Sequence, residues 1–150
     1  NGLPVTTYSN VDEARVRGIE SAFDFFITDN WKLSSSYTYT SARNKTTGER
    51  LKDVPRHFVS ASVNYDNPDW RFGASLFGTY TDSQFNTQYV LGMTPEKTAP
   101  YTSVGLSAWK ELGDGFKIRA AVSNMFNETL VGSDTINLGR SFSINCEYTF

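Results

Sequence analysis

The strongest constraint in this sequence is an alternation that recurs in each extended stretch and keeps one side free of charge. The last stretch shows it most plainly. Gly139–Phe150 reads Gly-Arg-Ser-Phe-Ser-Ile-Asn-Cys-Glu-Tyr-Thr-Phe. Side chains of an extended chain point alternately to opposite faces. Phe142, Ile144, Cys146, Tyr148 and Phe150 therefore share one side, and Ser141, Ser143, Asn145, Glu147 and Thr149 the other. A final Phe frays into water unless it has somewhere apolar to go, and a lipid-facing strand supplies that place.

Six earlier stretches repeat the pattern. In Arg15–Ile27, residues Ile19, Ser21, Phe23, Phe25 and Ile27 oppose Gly18, Glu20, Ala22, Asp24 and Phe26. In Trp31–Thr40, Trp31, Leu33, Ser35, Tyr37 and Tyr39 oppose Lys32, Ser34, Ser36, Thr38 and Thr40. Phe58–Tyr65 gathers Val59, Ala61, Val63 and Tyr65, and Trp70–Tyr80 gathers Trp70, Phe72, Ala74, Leu76, Gly78 and Tyr80, with Arg71 and Phe77 behind. Tyr101–Lys110 puts Val104, Leu106 and Ala108 together, with Trp109 off that register as a bulge or an inward ring. Phe116–Phe126 aligns Phe116, Ile118, Ala120 and Val122 against Lys117 and Arg119. On these assignments Glu20, Asp24, Lys32, Arg71, Lys117, Arg119 and Glu147 all fall on the polar side.

The connections alternate in length. Thr28-Asp29-Asn30, Asp66-Asn67-Pro68-Asp69 and Glu111–Gly115 are short and turn-like. Ser41–Pro55, Thr81–Ala99 and Asn127–Leu138 are long and polar. Outer-membrane barrels have short periplasmic turns and longer extracellular loops. Rings also sort by depth. Trp31, Tyr65, Trp70, Phe116, Tyr148 and Phe150 lie at the short-turn end, and Tyr37, Tyr39, Tyr80, Tyr101 and Phe126 at the long-loop end. Two aromatic girdles are expected where a barrel crosses its interfaces. A soluble β-sandwich also alternates, but it accounts for neither the terminal Phe nor the depth-sorted rings.

The predicted fold is therefore all-β: an antiparallel transmembrane β-barrel segment of about seven to eight meandering strands. Open hairpin edges in lipid would leave backbone groups unpaired, so the wall must close. Asn1–Tyr8, which contains Pro4, is either the end of an earlier strand or a loop. No run approaches the roughly 18–20 apolar residues of a membrane-spanning helix, and no signal-peptide pattern is present. A net charge of −2 gives no electrostatic reason to expect nucleic acid. The single Cys146 cannot form an internal disulfide and reads as a small apolar strand residue.

Signals of catalysis are poor. His57 is the only histidine, no Gly-x-Ser-x-Gly elbow is present, and a histidine at the start of a strand reads as a packed or hydrogen-bonded residue. The chain is not expected to be an enzyme, nor to need a cofactor or metal. The Asn44 and Asn127 sequons read as accidental. The mixed charges on the polar side read as ion pairs within the wall or as a surface for a docked domain. Arg43, Lys45, Arg50 and Lys52 in the first long loop are candidates to meet an anionic ligand, diluted by Glu49 and Asp53. Phe85 and Tyr89, near Tyr80, are candidates to stack on a ligand ring.

Several local patterns resemble the C-terminal barrel of the TonB-dependent outer-membrane receptors. They are Asn10–Glu20 with its Gly18-Ile19-Glu20, Asn30-Trp31-Lys32-Leu33 with Ser36–Thr40, and Val54-Pro55-Arg56-His57. Val122-Ser123-Asn124-Met125-Phe126-Asn127 and Gly139-Arg140-Ser141-Phe142 complete the set. Their order extends over nearly the whole chain. The family barrel has about twenty-two strands and a plugged lumen. The resemblance implies that residues 1–150 are the C-terminal part of such a barrel, without plug or earlier strands, and that Phe142, Tyr148 and Phe150 act as the signal read by the barrel-assembly machinery. It further implies outer-membrane lipid as surroundings, TonB as a partner acting through the missing plug, and a ferric siderophore or similar scarce nutrient as ligand. The alternative is a complete eight-stranded barrel with a structural or adhesive role, with Leu3–Tyr8 as its first strand. Pro4 and the shortness of that segment count against it.

Overall fold

The computed structural model describes residues 13–85, 97–113, 115–129 and 139–150. Leu3–Tyr8, the candidate extra strand, lies outside them. The described chain forms β1 (Ala14–Phe26), β2 (Trp31–Asn44), β3 (His57–Asn67), β4 (Phe72–Thr81), β5 (Tyr101–Glu111), β6 (Phe116–Ser123) and β7 (Ser141–Tyr148). They make one antiparallel sheet in sequence order, with β1 and β7 at its edges.

Short polar side chains build the tight turns. Thr28 Oγ1 accepts from the backbone N–H groups of Asn30 and Trp31, each at 3.2 Å, and closes the β1–β2 turn. Asn67 Oδ1 accepts from the Trp70 N–H at 2.9 Å, and Arg71 adopts a φ of 46°. Arg71 therefore belongs to the turn and not to the polar side of a strand, and β4 starts at Phe72, two residues later than the alternation predicts. Between β5 and β6, Gly115 has a φ of 77°, and a Cβ there would meet the Thr149 carbonyl.

Two other boundaries differ from expectation. β2 runs on to Asn44 because the long β1 pairs with it as far as Ala14↔Asn44. The Leu51 N–H then donates to the Ala42 carbonyl at 3.0 Å, so the start of the first long loop is itself paired. β6 stops at Ser123 because Asn124 turns the chain: its φ is 48°, and its side chain both donates to and accepts from the Glu128 backbone at 2.9 Å. Phe126 is thereby left beyond the strand.

Residues directly opposite in an antiparallel pair share a face. Following the register, Phe25, Leu33, Val63, Leu76, Leu106, Val122 and Phe142 form one row across all seven strands. All seven are apolar. The row starts beside the short turn after β1 and ends beside the long loop before β7, the stagger that strands tilted in a barrel wall require. A sandwich would bury this face in a shared interior. Instead Phe23, Leu76 and Ile144 are 57%, 47% and 75% exposed, and Ala42 is the one buried apolar residue among the described residues. Among the described residues no dry centre lies beneath the apolar side, which faces outward in a barrel wall.

Candidate functional site

The opposite face is the lumen side, and its chemistry is set by small hydroxyl and amide groups. Ser36 and Ser60 share a hydrogen bond at 2.8 Å, and Ser75 Oγ donates to Asn64 Oδ1 at 2.7 Å. Asn64 Nδ2 donates in turn to Ser62 Oγ at 3.0 Å. These bonds cross three strands and satisfy polar groups without long side chains. They leave an open concavity of about 560 Å³ along Ser34–Ser36, Ser60–Ser62 and Phe77–Thr79.

Charges on this side cluster toward the short-turn end, and two ion pairs form there among the described residues. Lys32 Nζ lies 3.0 Å from the Asp24 carboxylate and 5.5 Å from the Phe26 ring centre. Lys117 Nζ lies 3.5 Å from Glu111 and 4.0 Å from the centre of the Trp109 ring. Trp109 is an inward ring and not a bulge, because pairing is continuous through Gly73↔Trp109 and Trp109↔Arg119. Its indole fits because Gly73 has no side chain, and Phe77 fits over Gly105 for the same reason. The alternation places Phe77 and Trp109 on the polar side but carries no sign of these two glycine partners.

Ring contacts occur at the height of both girdles. At the short-turn end the Trp31 and Tyr65 ring centres are 4.9 Å apart, and Tyr148 and Phe150 are 6.4 Å apart. At the long-loop end His57 lies between Tyr37 and Tyr39, with centres at 6.1 and 5.4 Å. His57 Nδ1 and Tyr37 Oη share a hydrogen bond at 2.9 Å. Tyr101 departs from the expected girdle: it pairs with Thr81 and so stands on the lumen side, while Thr102 opposite Tyr80 faces out.

The loop residues singled out from the sequence do not form one cluster. Arg43 is in β2, on the outward side that also carries Tyr37 and Tyr39, and its Nη1 donates to the Gly48 carbonyl at 2.9 Å. Arg50 bridges to Arg43 and places its guanidinium 5.8 Å from the Phe85 ring centre. The Asp53 N–H donates to the Phe85 carbonyl at 2.8 Å, so the roots of two long loops are tied together at Phe85. Lys45 forms an ion pair with Glu13, which cancels its charge. Lys52 is half-buried in the same loop. Tyr89 lies outside the described residues. Sequence reading passed over Arg15 and Arg17 because they precede the recognisable apolar alternation of β1. Their strand partners on β2 are Arg43 and Ser41.

Phe142 and Tyr148 stand on the outward side of β7, opposite Val122 and Phe116. Phe150 lies past the last strand residue and is fully exposed.

Comparison with known proteins gives this geometry a family. The ferrienterobactin receptor of Escherichia coli K12 is 24% identical over 135 residues, covering 86% of this chain and 18% of that receptor. The vitamin B12 transporter BtuB of Photobacterium profundum is 28% identical over 144 residues, covering 94% of this chain and 22% of its own length. Among solved structures, a mutant ferric enterobactin receptor of Pseudomonas aeruginosa superposes with a TM-score of 0.75 at 24% identity, covering 94% of this chain and 23% of that one. The chain thus spans about a fifth of the length of these relatives. The family described as TonB dependent receptor-like, beta-barrel matches residues 1–125, and the chain belongs to it, as a stretch of bacterial outer-membrane barrel wall.

Proposed function

We propose that the chain is the C-terminal part of a TonB-dependent receptor barrel that imports a scarce nutrient, foremost an iron–siderophore complex. The observation that carries this reading is the seven-strand apolar row facing outward, backed by a lumen of small hydroxyl groups. A wall of this kind supports a wide, wet interior. In this reading a plug docks on the lumen side, and TonB acts through that plug to energise uptake. Two of the relatives are named as receptors for ferric enterobactin and one as a vitamin B12 transporter, so the nutrient class is iron chelates with cobalamin as the neighbouring option.

The ligand surface of this segment is proposed to lie at the extracellular mouth, with Phe85 and Lys52 on the two long loops and Tyr89, outside the described residues, as a further candidate. Arg43 and Arg50 belong to the outward side by register, and Lys45 is neutralised by Glu13, which weakens their case as ligand contacts. Phe142, Tyr148 and Phe150 are proposed to form the signal read by the barrel-assembly machinery, because an unpaired edge strand can add to another sheet before closure. The test is uptake by cells carrying the full-length receptor, with and without TonB, over a panel of ferric chelates, haem and cobalamin. TonB-dependent accumulation of one of these is expected. Equal accumulation of every compound in cells with and without the receptor would overturn the reading.

A further inference from the structure

We propose that Arg15, Arg17, Arg43 and Arg50 form a binding site for a phosphorylated lipid headgroup on the outside of the barrel wall. The argument starts from register. Arg15 stands directly opposite Arg43, and Arg43 bridges to Arg50, so three arginines share one cross-strand row on the outward side by register, with the Arg43 guanidinium on the Gly48 carbonyl and that of Arg50 beside the Phe85 ring. Arg17, opposite Ser41, lies on the same side one step nearer the tyrosine girdle. Like charges directly opposed across strands destabilise a sheet. Among the described residues nothing acidic on the face offsets this row: Glu13 is taken by Lys45, and none of the four arginines is in an ion pair with a carboxylate. Glu49 pairs with Asn44 and so stands on the inner side. Such a row calls for an anionic partner from outside the chain.

Depth says which partner. A bilayer core is crossed by about 9–11 tilted strand residues. β1 has 13 residues and β2 has 14, and the arginines occupy the surplus at their long-loop end, above Tyr37, Tyr39 and His57. Headgroup phosphates lie at this height, immediately outside the aromatic girdle. Arg15 and Arg43 also line an open cleft of about 480 Å³ with Glu13, Asn44, Lys45 and Gly48. Guanidinium groups bind phosphate oxygens in bidentate fashion. A soluble chelate entering the lumen would meet the other face of the sheet.

The experiment follows thermal unfolding of the full-length receptor in neutral detergent against diphosphoryl lipid A, dephosphorylated lipid A and inorganic phosphate. Diphosphoryl lipid A is expected to raise the unfolding temperature, and the other two are not. In the R15Q/R17Q/R43Q variant its half-saturating concentration is expected to rise on the order of a hundredfold, about fivefold per cation removed. The corresponding triple Lys variant is expected to stay within about tenfold of the parent. If the triple Gln variant does not fold, R17Q and R43Q are read singly, each for the fivefold change. An unchanged half-saturating concentration in the Gln variants would overturn the proposal. An equal response to dephosphorylated lipid A, or to inorganic phosphate alone, would do the same.

Discussion

The Trp109 indole occupies the space that a side chain at Gly73 would fill: a Cβ there would overlap its Nε1, Cε2 and Cζ2 atoms. Gly73 and Trp109 are direct strand partners, so the glycine is what lets a large ring lie inward beside Lys117. Gly105 plays the same part for Phe77, with one difference. A Cβ at Gly105 would also come within 2.9 Å of the Val122 carbonyl. A ring can be trimmed away, but a backbone carbonyl cannot. Gly73→Ala is therefore expected to destabilise the folded receptor by about 1–3 kcal/mol, and adding Trp109→Leu should recover most of that loss. Gly105→Ala should cost a similar amount, and Phe77→Ala should recover only part. Urea unfolding of the four variants in lipid vesicles measures both differences.

The outward face gives a second test. Leu76 sits in the middle of β4 within the all-apolar row, and Ser107 sits at comparable depth on the lumen side of β5. Leu76→Arg puts a cation into hydrocarbon, which costs about 2–4 kcal/mol near the midplane of a barrel wall. Ser107→Arg puts the same cation into the wet interior and is expected to cost well under half as much. Equal losses in unfolding free energy would mean that the two faces have been assigned the wrong way round.

The hydrogen bond between Tyr37 and His57 ties β2 to β3 at the outer girdle. Tyr37→Phe removes it and keeps the ring, so the expected loss is about 0.5–1 kcal/mol, the net worth of one partly exposed hydrogen bond. Tyr37→Leu removes the ring contact with His57 as well and should cost more. The comparison is read from unfolding midpoints of the two variants under one set of conditions.

Strand identity and facing were legible in the sequence because a period of two is local: each apolar residue from Phe142 to Phe150 announces its own face. Register was not legible. That Val63 meets Leu76, and that Arg15 meets Arg43, depends on turn geometry and on where each strand stops. The ends misled for the same reason. Arg71 and Asn124 adopt positive φ in turns that the alternation does not mark. Arg15 and Arg17 share parity with Ile19 yet lie above the apolar band, and Lys110, on the side of Leu106 and Ala108, reaches back to the Trp70 carbonyl at the short-turn end. Charge is excluded from the outward face only within the hydrocarbon span, so strand ends can carry it. The candidate loop site was the least legible part, since composition gave its positive charge but not the ion pair to Glu13 or the Arg50–Phe85 contact that occupy it.

Phe150 offers a way to separate assembly from stability. Its neighbour Thr149 donates to the Gly115 carbonyl at 3.0 Å, and the Phe150 ring centre lies 6.4 Å from that of Tyr148. The Phe150 ring stands outside the strand pairing seen among the described residues. Phe150→Asp should therefore leave the unfolding free energy of the assembled receptor within about 1 kcal/mol of the parent while slowing its insertion several-fold. Ile144→Asp, on the outward side of β7 and paired with Ala120, should lower stability as well as rate. Pulse-labelled insertion in cells, run beside unfolding of the purified proteins, reads the two quantities separately. Insertion of the Phe150 variant at the parent's rate would remove the terminal ring from the assembly signal, and a matched loss of rate and stability would show that it acts through the folded wall instead.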